Sequence, residues 1–339
     1  MSLEIVAVDA ADAEQLAAYH ATYHAAHTHG REYATAFALE EVRAQLLTEG
    51  TGELNLAWSG LAGGEVVTGG SLWAPLDDNT HMATVEVGTR PADRRRGYGS
   101  AMLEHLVGEV RRLGRRTVLA EVSAPYDGPA DGRGHPNVDF VLRRGFEFAL
   151  GSVMRVLDLP ADEGRLKRLA AEAEPHHRGY EFLQFRGAVP EDIIEQYGEL
   201  TGAVAVEAPT GDLELERERF GRERIRAGER ELEAAGRVRY ATVALTPDGT
   251  PVAFSDVVVP AHDPGKIYQW GTLVRRDHRG HRLGVATKVR NLLQVQRECR
   301  DRSLLVTYNA EDNRHVIAVN EAMGFRPVER LGEYQRRLA

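Results

Sequence analysis

The sequence predicts an α/β (α+β) chain built from two tandem copies of one domain. Three observations carry that prediction. The chain has 339 residues, more than one ordinary core organises, so two domains are expected. Strand-like apolar runs alternate with helical periodicities, and their order is the same in both halves. An arginine-glycine turn at a helix entrance, "RRRGYG" at 94–99, has a counterpart in "RGHRLG" at 279–284. The expected division is a first domain over 1–158, a linker over 159–178 and a second domain over 179–339.

In the first half, "LEIVAV" (3–8) is a short apolar run and reads as a strand. Helical patterns follow over 12–29 and 39–47. "ELNLAWS" (53–59), "EVVTGGSLWA" (65–74) and "MATVEVGT" (82–89) read as three strands, separated by the turn-rich "GLAGG" and "PLDDN". From Gly99 the residues Leu103, Leu106, Val107, Val110 and Leu113 recur at helical spacing. "TVLAEV" (117–122) has the composition of a buried strand. A Gly/Pro/Asp-rich loop at 123–136 leads to a short helix and then to "GFEFALGSVMRVLDL", read as one or two closing strands.

The second half repeats this order. "YEFLQF" (180–185) reads as a strand and helices are expected over 190–200 and 214–235. "RVRYATVAL", "PVAFSDVVV" and "KIYQWGTLV" are strands by composition. Leu283 to Cys299 is a helix with Val285, Val289, Leu292 and Val295 on one side, which makes Cys299 a core residue. "SLLVTY" (303–308) is a strand, and "RHVIAVNEAMGF" is a helix ending at Gly324 as its C-cap. Arg94 and Arg279, Gly99 and Gly284, and Leu119 and Leu304 are each separated by 185 positions. Isolated matching dipeptides arise by chance, whereas aligned elements with aligned loops mark an internal repeat. The polar "PADEGRLKRLAAEAEPHHRG" (160–179) reads as the linker.

Composition excludes several functions. Hydrophobic residues at 42% and charged residues at 27% suit globular domains. Forty-two basic against 51 acidic side chains leave a formal charge of −9, which argues against tracking a nucleic acid by phosphate neutralisation and against an anionic membrane surface. Cys299 is the single cysteine, so neither a disulfide within the chain nor a cysteine-based metal site is expected. The first residues lack a basic stretch followed by an apolar run, and no apolar run approaches a membrane span. A cytoplasmic protein is expected.

The arginine-glycine turns carry the chemistry. A helix N-terminus offers unpaired N–H groups and the positive end of a dipole. Glycine lets a ligand approach the backbone, and arginine adds forked donors for phosphate oxygens. Together these suit a pyrophosphate. The P-loop pattern is absent from both turns. The dinucleotide fingerprint fails too, because Gly97-Tyr98-Gly99-Ser100-Ala101-Met102 follows a fourth strand and lacks the third glycine. The pattern R/Q-x-x-G-x-G/A is met in full by Arg94 to Gly99.

That pattern after a fourth strand, followed by a helix, a fifth strand and a helix closing on Gly-Phe, resembles the GNAT superfamily of acyl-CoA-dependent N-acyltransferases. The resemblance covers nearly the whole chain as two copies. The tandem arrangement is similar to that of mycothiol synthase and of actinobacterial antibiotic-pathway acetyltransferases. It implies a mixed, mostly antiparallel sheet in each copy, with splayed fourth and fifth strands admitting acetyl-CoA. The first cradle would be Arg94, Arg95, Arg96, Gly97, Tyr98, Gly99 and Ser100. The second would be Arg279, Gly280, His281, Arg282, Leu283 and Gly284 with Thr287, and Leu273 and Val274 would offer backbone to the pantetheine. The second copy departs from the pattern, with Arg282 at the first motif glycine.

The resemblance also implies an asparagine after the fifth strand and a tyrosine seven residues later. The second half has Asn309 and Asn313, with Asn320 at the tyrosine position; the first half has Gly134 and Val141 there. The asparagines favour the second half as catalytic, leaving the first to hold CoA without turnover or to serve as scaffold and homodimer surface. A carboxylate in the acceptor cleft is the natural base for an ammonium. Glu207 and Asp256 are the candidates, with Asp212 beside Glu207 in the acidic "VEAPTGDLELE", and Tyr308 stands in for the missing acid. Solvated loop acids and a half-buried strand tyrosine explain the same residues. His20, His24, His27 and His29 lie on or beside one helix with no acid or cysteine near in sequence to complete a metal site, so a helix beside the first-half acceptor cleft is expected. Arg111, Arg112, Arg115 and Arg116 suit a helix C-terminus. The expected activity is acetyl transfer from acetyl-CoA to a small-molecule primary amine. The alternatives are a non-catalytic CoA-binding or assembly module, mycothiol-synthase-like acylation and protein N-acetylation.

Overall fold

The computed structural model describes residues 3–338. The chain divides into two compact units: Met1–Leu150 with Leu331–Ala339, and Gly151–Arg330. The chain order begins β1 (Glu4–Ala7), α1 (Ala13–Thr28), α2 (Leu39–Leu47), β2 (Glu53–Ala62), β3 (Glu65–Pro75) and β4 (Met82–Thr89). It continues through α3 (Tyr98–Arg112), β5 (Thr117–Pro125), α4 (Pro136–Leu142), β6 (Glu147–Asp158) and α5 (Glu163–Ala173). Next come β7 (Glu181–Arg186), α6 (Ile194–Gly202), α7 (Val204–Glu207), α8 (Arg222–Ala234), β8 (Arg237–Leu245) and β9 (Pro251–Pro260). The chain closes with β10 (Lys266–Val274), α9 (Leu283–Glu298), β11 (Leu304–Ala310), α10 (Arg314–Met323) and β12 (Arg326–Arg337).

In the first unit β1 to β4 run antiparallel in order, and β4 pairs parallel with β5. In the second unit β7 to β10 do the same, and β10 pairs parallel with β11. Both parallel pairs are short. β4 and β5 part after Thr84↔Leu119, and β10 and β11 part after Tyr268↔Val306. Each unit therefore has a gap where two parallel strands diverge, beside a strand-turn-helix. Only the second unit's fourth strand is bulged, with a register shift between Gln269 and Thr272.

The sixth strand of each sheet is not the one that sequence order suggests. β5 is neighboured by β12, and β6 pairs with β11 from Leu304↔Asp158 to Ala310↔Ser152. The domain boundaries expected at 158 and 179 do not coincide with the compact units, because β6 and β12 have exchanged places. Both strands run 12 residues, so periodicity along either one cannot say which neighbour it chooses. The stretch read as a linker holds α5. Its Leu166, Leu169, Ala170 and Ala173 recur at helical spacing, and the first three join the core formed with Val289 and Leu292 of α9. Polar composition hid that stripe. The helix expected over 214–235 begins only at Arg222, and Ala208–Gly221 carries no regular element.

Each sheet has a helix-backed core on both faces. On one face of the first unit α3 sets Met102, Leu106 and Val110 against Val85, Val118 and Tyr334. On the other, α1 sets Leu16, Tyr19 and Tyr23 against Ala57. Gly69 and Gly88 let α1 come close, since a Cβ there would lie 3.0 Å from Tyr19 and 2.9 Å from Ala26. In the second unit α9 covers Val257 and Ile267, and α6 covers Phe254 and Leu273. Among the described residues no helix is long and apolar enough to cross a membrane.

Candidate functional site

The two arginine-glycine turns have one geometry. A short 3-10 turn, Pro91–Asp93 or Arg276–His278, follows the fourth strand. The arginine after it, Arg94 or Arg279, reaches back through Nε to the strand's last carbonyl, Thr89 O at 3.2 Å or Val274 O at 3.4 Å. Two left-handed residues then turn the chain into the helix. They are Arg95 (φ 64°) and Gly97 (φ 90°) in the first turn, and Gly280 (φ 88°) and Arg282 (φ 51°) in the second. Glycine and arginine have traded positions between the copies. Among the described residues the backbone N–H groups of 95–99 and of 280–284 have no hydrogen-bond acceptor. A Cβ at Gly97 or Gly280 would meet nothing within 4 Å, so both arrays of donors face open space. Such arrays at helix N-termini fit a pyrophosphate.

The surrounding charges differ. Arg94 also donates to Ala26 O at the end of α1, and Arg96 pairs with Asp93 at 3.2 Å. Tyr98 is buried in the first turn of α3, and Gly99 sits against Thr89. Ser100 accepts a hydrogen bond from Arg144, whose guanidinium lies 3.7 Å over the Phe140 ring. In the second turn Arg279 donates to Glu207 at 2.8 Å, and Arg276 reaches the same oxygen at 3.4 Å. His281 bonds His176 O, Thr287 bonds back to Leu283 O inside α9, and Leu283 is buried. Leu273 and Val274 pair along β9 with Phe254 and Ala253, and Gly284 packs on Val274.

The predicted catalytic residues are not brought together. Glu207 pairs with the second turn's arginines, Arg276 and Arg279. Asp256 is buried on β9, where Tyr197 OH donates to it at 2.5 Å and Arg239 lies 3.7 Å away. Burial raises its pKa, opposed by Arg239 and Tyr197, and its Oδ1 has no partner among the described residues. Tyr308 points its hydroxyl at Met154 Sδ, 3.4 Å away. Asn313 caps α10 through Val316 N, while Asn320 donates to Asn309 Oδ1 at 2.6 Å. The asparagines thus serve α10 and each other.

The first unit holds the constellation that sequence reasoning missed. A small cavity beside the parted strands is lined by Tyr19, Tyr23, His27, Ser71 and Glu86. His27 Nε2 lies 2.7 Å from Glu86 Oε1, and 43% of the Glu86 side chain stays open. Burial works to raise the Glu86 pKa, but His27, Arg31 and Ser71 outweigh it and hold the carboxyl below its usual range. Two further carboxylates share this face, Glu121 on β5 and Glu333 on β12. Glu86 was the signal available in the sequence, as the one charged residue inside "MATVEVGT". In the second copy, 185 positions on, Gly271 replaces it and the Phe254 ring fills the space, 2.7 Å from where a Cβ of Gly271 would stand. Of the histidine run, His27 lines this cavity, while His20 bonds the Phe37 carbonyl. Among the described residues no group of three His, Cys, Asp or Glu could hold a metal.

No protein-family model matches the sequence. No curated protein matches it. Solved structures do. A tandem GNAT protein from the clavulanic acid biosynthesis pathway is 27% identical with a TM-score of 0.80, covering 99% of this chain and 98% of that one. A GCN5-related N-acetyltransferase from Sphaerobacter thermophilus is 15% identical with a TM-score of 0.61, covering 99% and 95%. Another from Anabaena variabilis is 10% identical with a TM-score of 0.53, covering 99% and 73%. The last two share the fold alone.

The chain has the tandem GNAT fold. Each GNAT unit supplies a parted strand pair and an array of free amides, so the residues of both fit an acyl-CoA. Arg144 is a further cation at the first GNAT turn, and burial, with the charge of Arg143, lowers its pKa. The units differ on the face opposite α3 and α9. The first GNAT unit keeps a cavity with a carboxylate-histidine pair, whereas the second fills that position with Phe254 and carries its polar group deeper, at Asp256.

Proposed function

We propose that this protein is an acyl-CoA-dependent N-acyltransferase that moves an acetyl group to a primary amine of a small molecule, with transfer in the first unit. The observation that carries this reading is the Glu86–His27 pair in a cavity beside the parted strands β4 and β5. Bound acetyl-CoA would supply the activated thioester, whose C–S bond breaks as the neutral amine attacks and whose sulfur leaves as the CoA thiol. The amides of 95–99 hold the pyrophosphate, with Arg144 beside them. Glu86, kept ionised by its neighbours, attracts the acceptor ammonium and takes its proton, sharing it with His27 through their 2.7 Å contact. Tyr19 and Tyr23 wall the cavity. The second reading places transfer in the second unit with Asp256 as base; the β10 bulge and the unpartnered Asp256 oxygen favour it.

Thiol release from acetyl-CoA across an amine panel tests both readings. Glu86→Gln should lower kcat by about 100-fold or more, as loss of a general base does, while acetyl-CoA binding measured by calorimetry is unchanged. If Asp256→Asn abolishes turnover and Glu86→Gln does not, transfer belongs to the second unit. Absence of acetyl-CoA binding to the intact chain would remove both.

A further inference from the structure

We propose that the first-unit cavity takes amines that carry a hydroxyl or ether oxygen near the nitrogen, and that the Tyr23 hydroxyl selects them by donating a hydrogen bond to that oxygen. This deepens, and rests on, the reading that transfer occurs beside Glu86. It follows from where each polar hydrogen in the cavity goes. An ionised carboxylate only accepts hydrogen bonds. Ser71 hydrogen-bonds both Glu86 and Tyr19, so it gives its single hydrogen to Glu86 and accepts from Tyr19. His27 Nε2 likewise donates to Glu86 Oε1 across 2.7 Å. The hydrogens of Tyr19, Ser71 and His27 Nε2 are all engaged.

Tyr23 is different. Its ring packs on His27 with 4.3 Å between centroids and stacks beside Tyr19 at 6.4 Å, and only 8% of the residue is exposed. Its hydroxyl oxygen accepts the Phe37 N–H at 3.0 Å. A main-chain N–H can only donate, so the phenolic hydrogen is still to be placed. Among the described residues nothing accepts it, and Glu86 and Glu41 reach this hydroxyl by charge alone. A buried donor with an undelivered hydrogen is costly until a partner arrives. Tyr23 and Glu86 line one cavity, so a ligand that sets its amine against Glu86 can bring an oxygen to Tyr23. That oxygen must be uncharged. The lining has no lysine or arginine, and a ligand carboxylate would meet the charge of Glu86 there. In the second unit Tyr197 spends its hydrogen on Asp256 at 2.5 Å, so the buried tyrosine beside that unit's carboxylate is already engaged.

The test compares 2-aminoethanol with n-propylamine, and 3-aminopropan-1-ol with n-butylamine, pairs of equal length that differ by a hydroxyl in place of a methyl. Binding to the intact protein in the presence of CoA is measured by calorimetry, and acetylation by thiol release from acetyl-CoA. In at least one pair the amino alcohol should bind about tenfold more tightly and show about tenfold higher kcat/KM, the effect of one hydrogen bond to a buried donor. Tyr23→Phe removes that donor and should bring both ratios to about one. Tyr19→Phe removes a hydroxyl whose hydrogen goes to Ser71 and should leave the ratios standing, so a general disturbance of the cavity would not imitate the result. Ratios near one in both pairs for the unaltered protein, or a preference that survives Tyr23→Phe, would overturn the proposal even if acetyl transfer occurs. Failure of all these amines to bind would overturn it as well. A binding preference lost in Tyr23→Phe, with no thiol release for any amine, would uphold it and remove the transferase reading instead.

Discussion

At the scale of single residues, Arg95 and Arg282 do what glycine normally does. Both hold left-handed backbone in turns where a motif reader looks for glycine. The turn needs two such residues, and either can be non-glycine when its side chain projects outward. Arg282 was visible as a departure from the pattern at the position of Gly97, but its left-handed conformation, and that of Arg95, were not. Glu333 shows the opposite case, an ordinary-looking residue made unusual by its setting. Its raised pKa means the folded state favours the protonated form. Ionisation therefore costs stability, fully above pH 7 and fading as pH falls toward its unfolded value near 4.5. Glu333→Gln should raise Tm at pH 8 and change it little at pH 4.5. A lower Tm at pH 8 would contradict that origin of the shift.

At the scale of elements, α9 carries both an arginine-glycine turn and a buried amine. Lys288 is buried one turn past Gly284, with its ammonium 5.7 Å from the centre of the Phe325 ring. Burial lowers its pKa to about 7. The folded state thus disfavours the charged amine, a cost present in full below pH 7 and removed as pH climbs toward 10.5. Lys288→Met keeps the unbranched stem and should raise Tm most at pH 6, with a smaller gain by pH 9. A uniform change across that range would mean packing rather than charge. The strand β10 shows how one element can differ between copies. Its bulge at 270–271 leaves Trp270 44% exposed and opens a position that Phe254 then fills. No periodicity distinguishes it from β4, because a bulge is one added residue within an otherwise alternating run.

At the scale of the whole molecule, the last strand belongs to the first unit. Tyr334 is buried in the first unit's core, beside Phe148, and donates to Asp131 O at 2.8 Å. Tyr334→Ala should destabilise that unit by about 3–5 kcal/mol, the usual loss for a large buried aromatic. Urea unfolding followed through Trp58 and Trp73 checks this, and an unchanged midpoint would refute the placement of the strand's energy. The same strand, beside β5, sets Glu333 on the sheet face opposite Tyr334.

Local chemistry determined the repeat, the element types, the two turns and their fit to a pyrophosphate. Those features are written within a few residues of one another: apolar spacing, glycine placement, arginine charge. Tertiary structure alone decided the rest. It set β12 beside β5, turned the supposed linker into a packed helix, spent Glu207 on Arg279, and drew His27, Glu86, Glu121 and Glu333 to one face. Those residues come from four separate elements, and their meeting depends on strand pairing and helix docking, which no local spacing encodes.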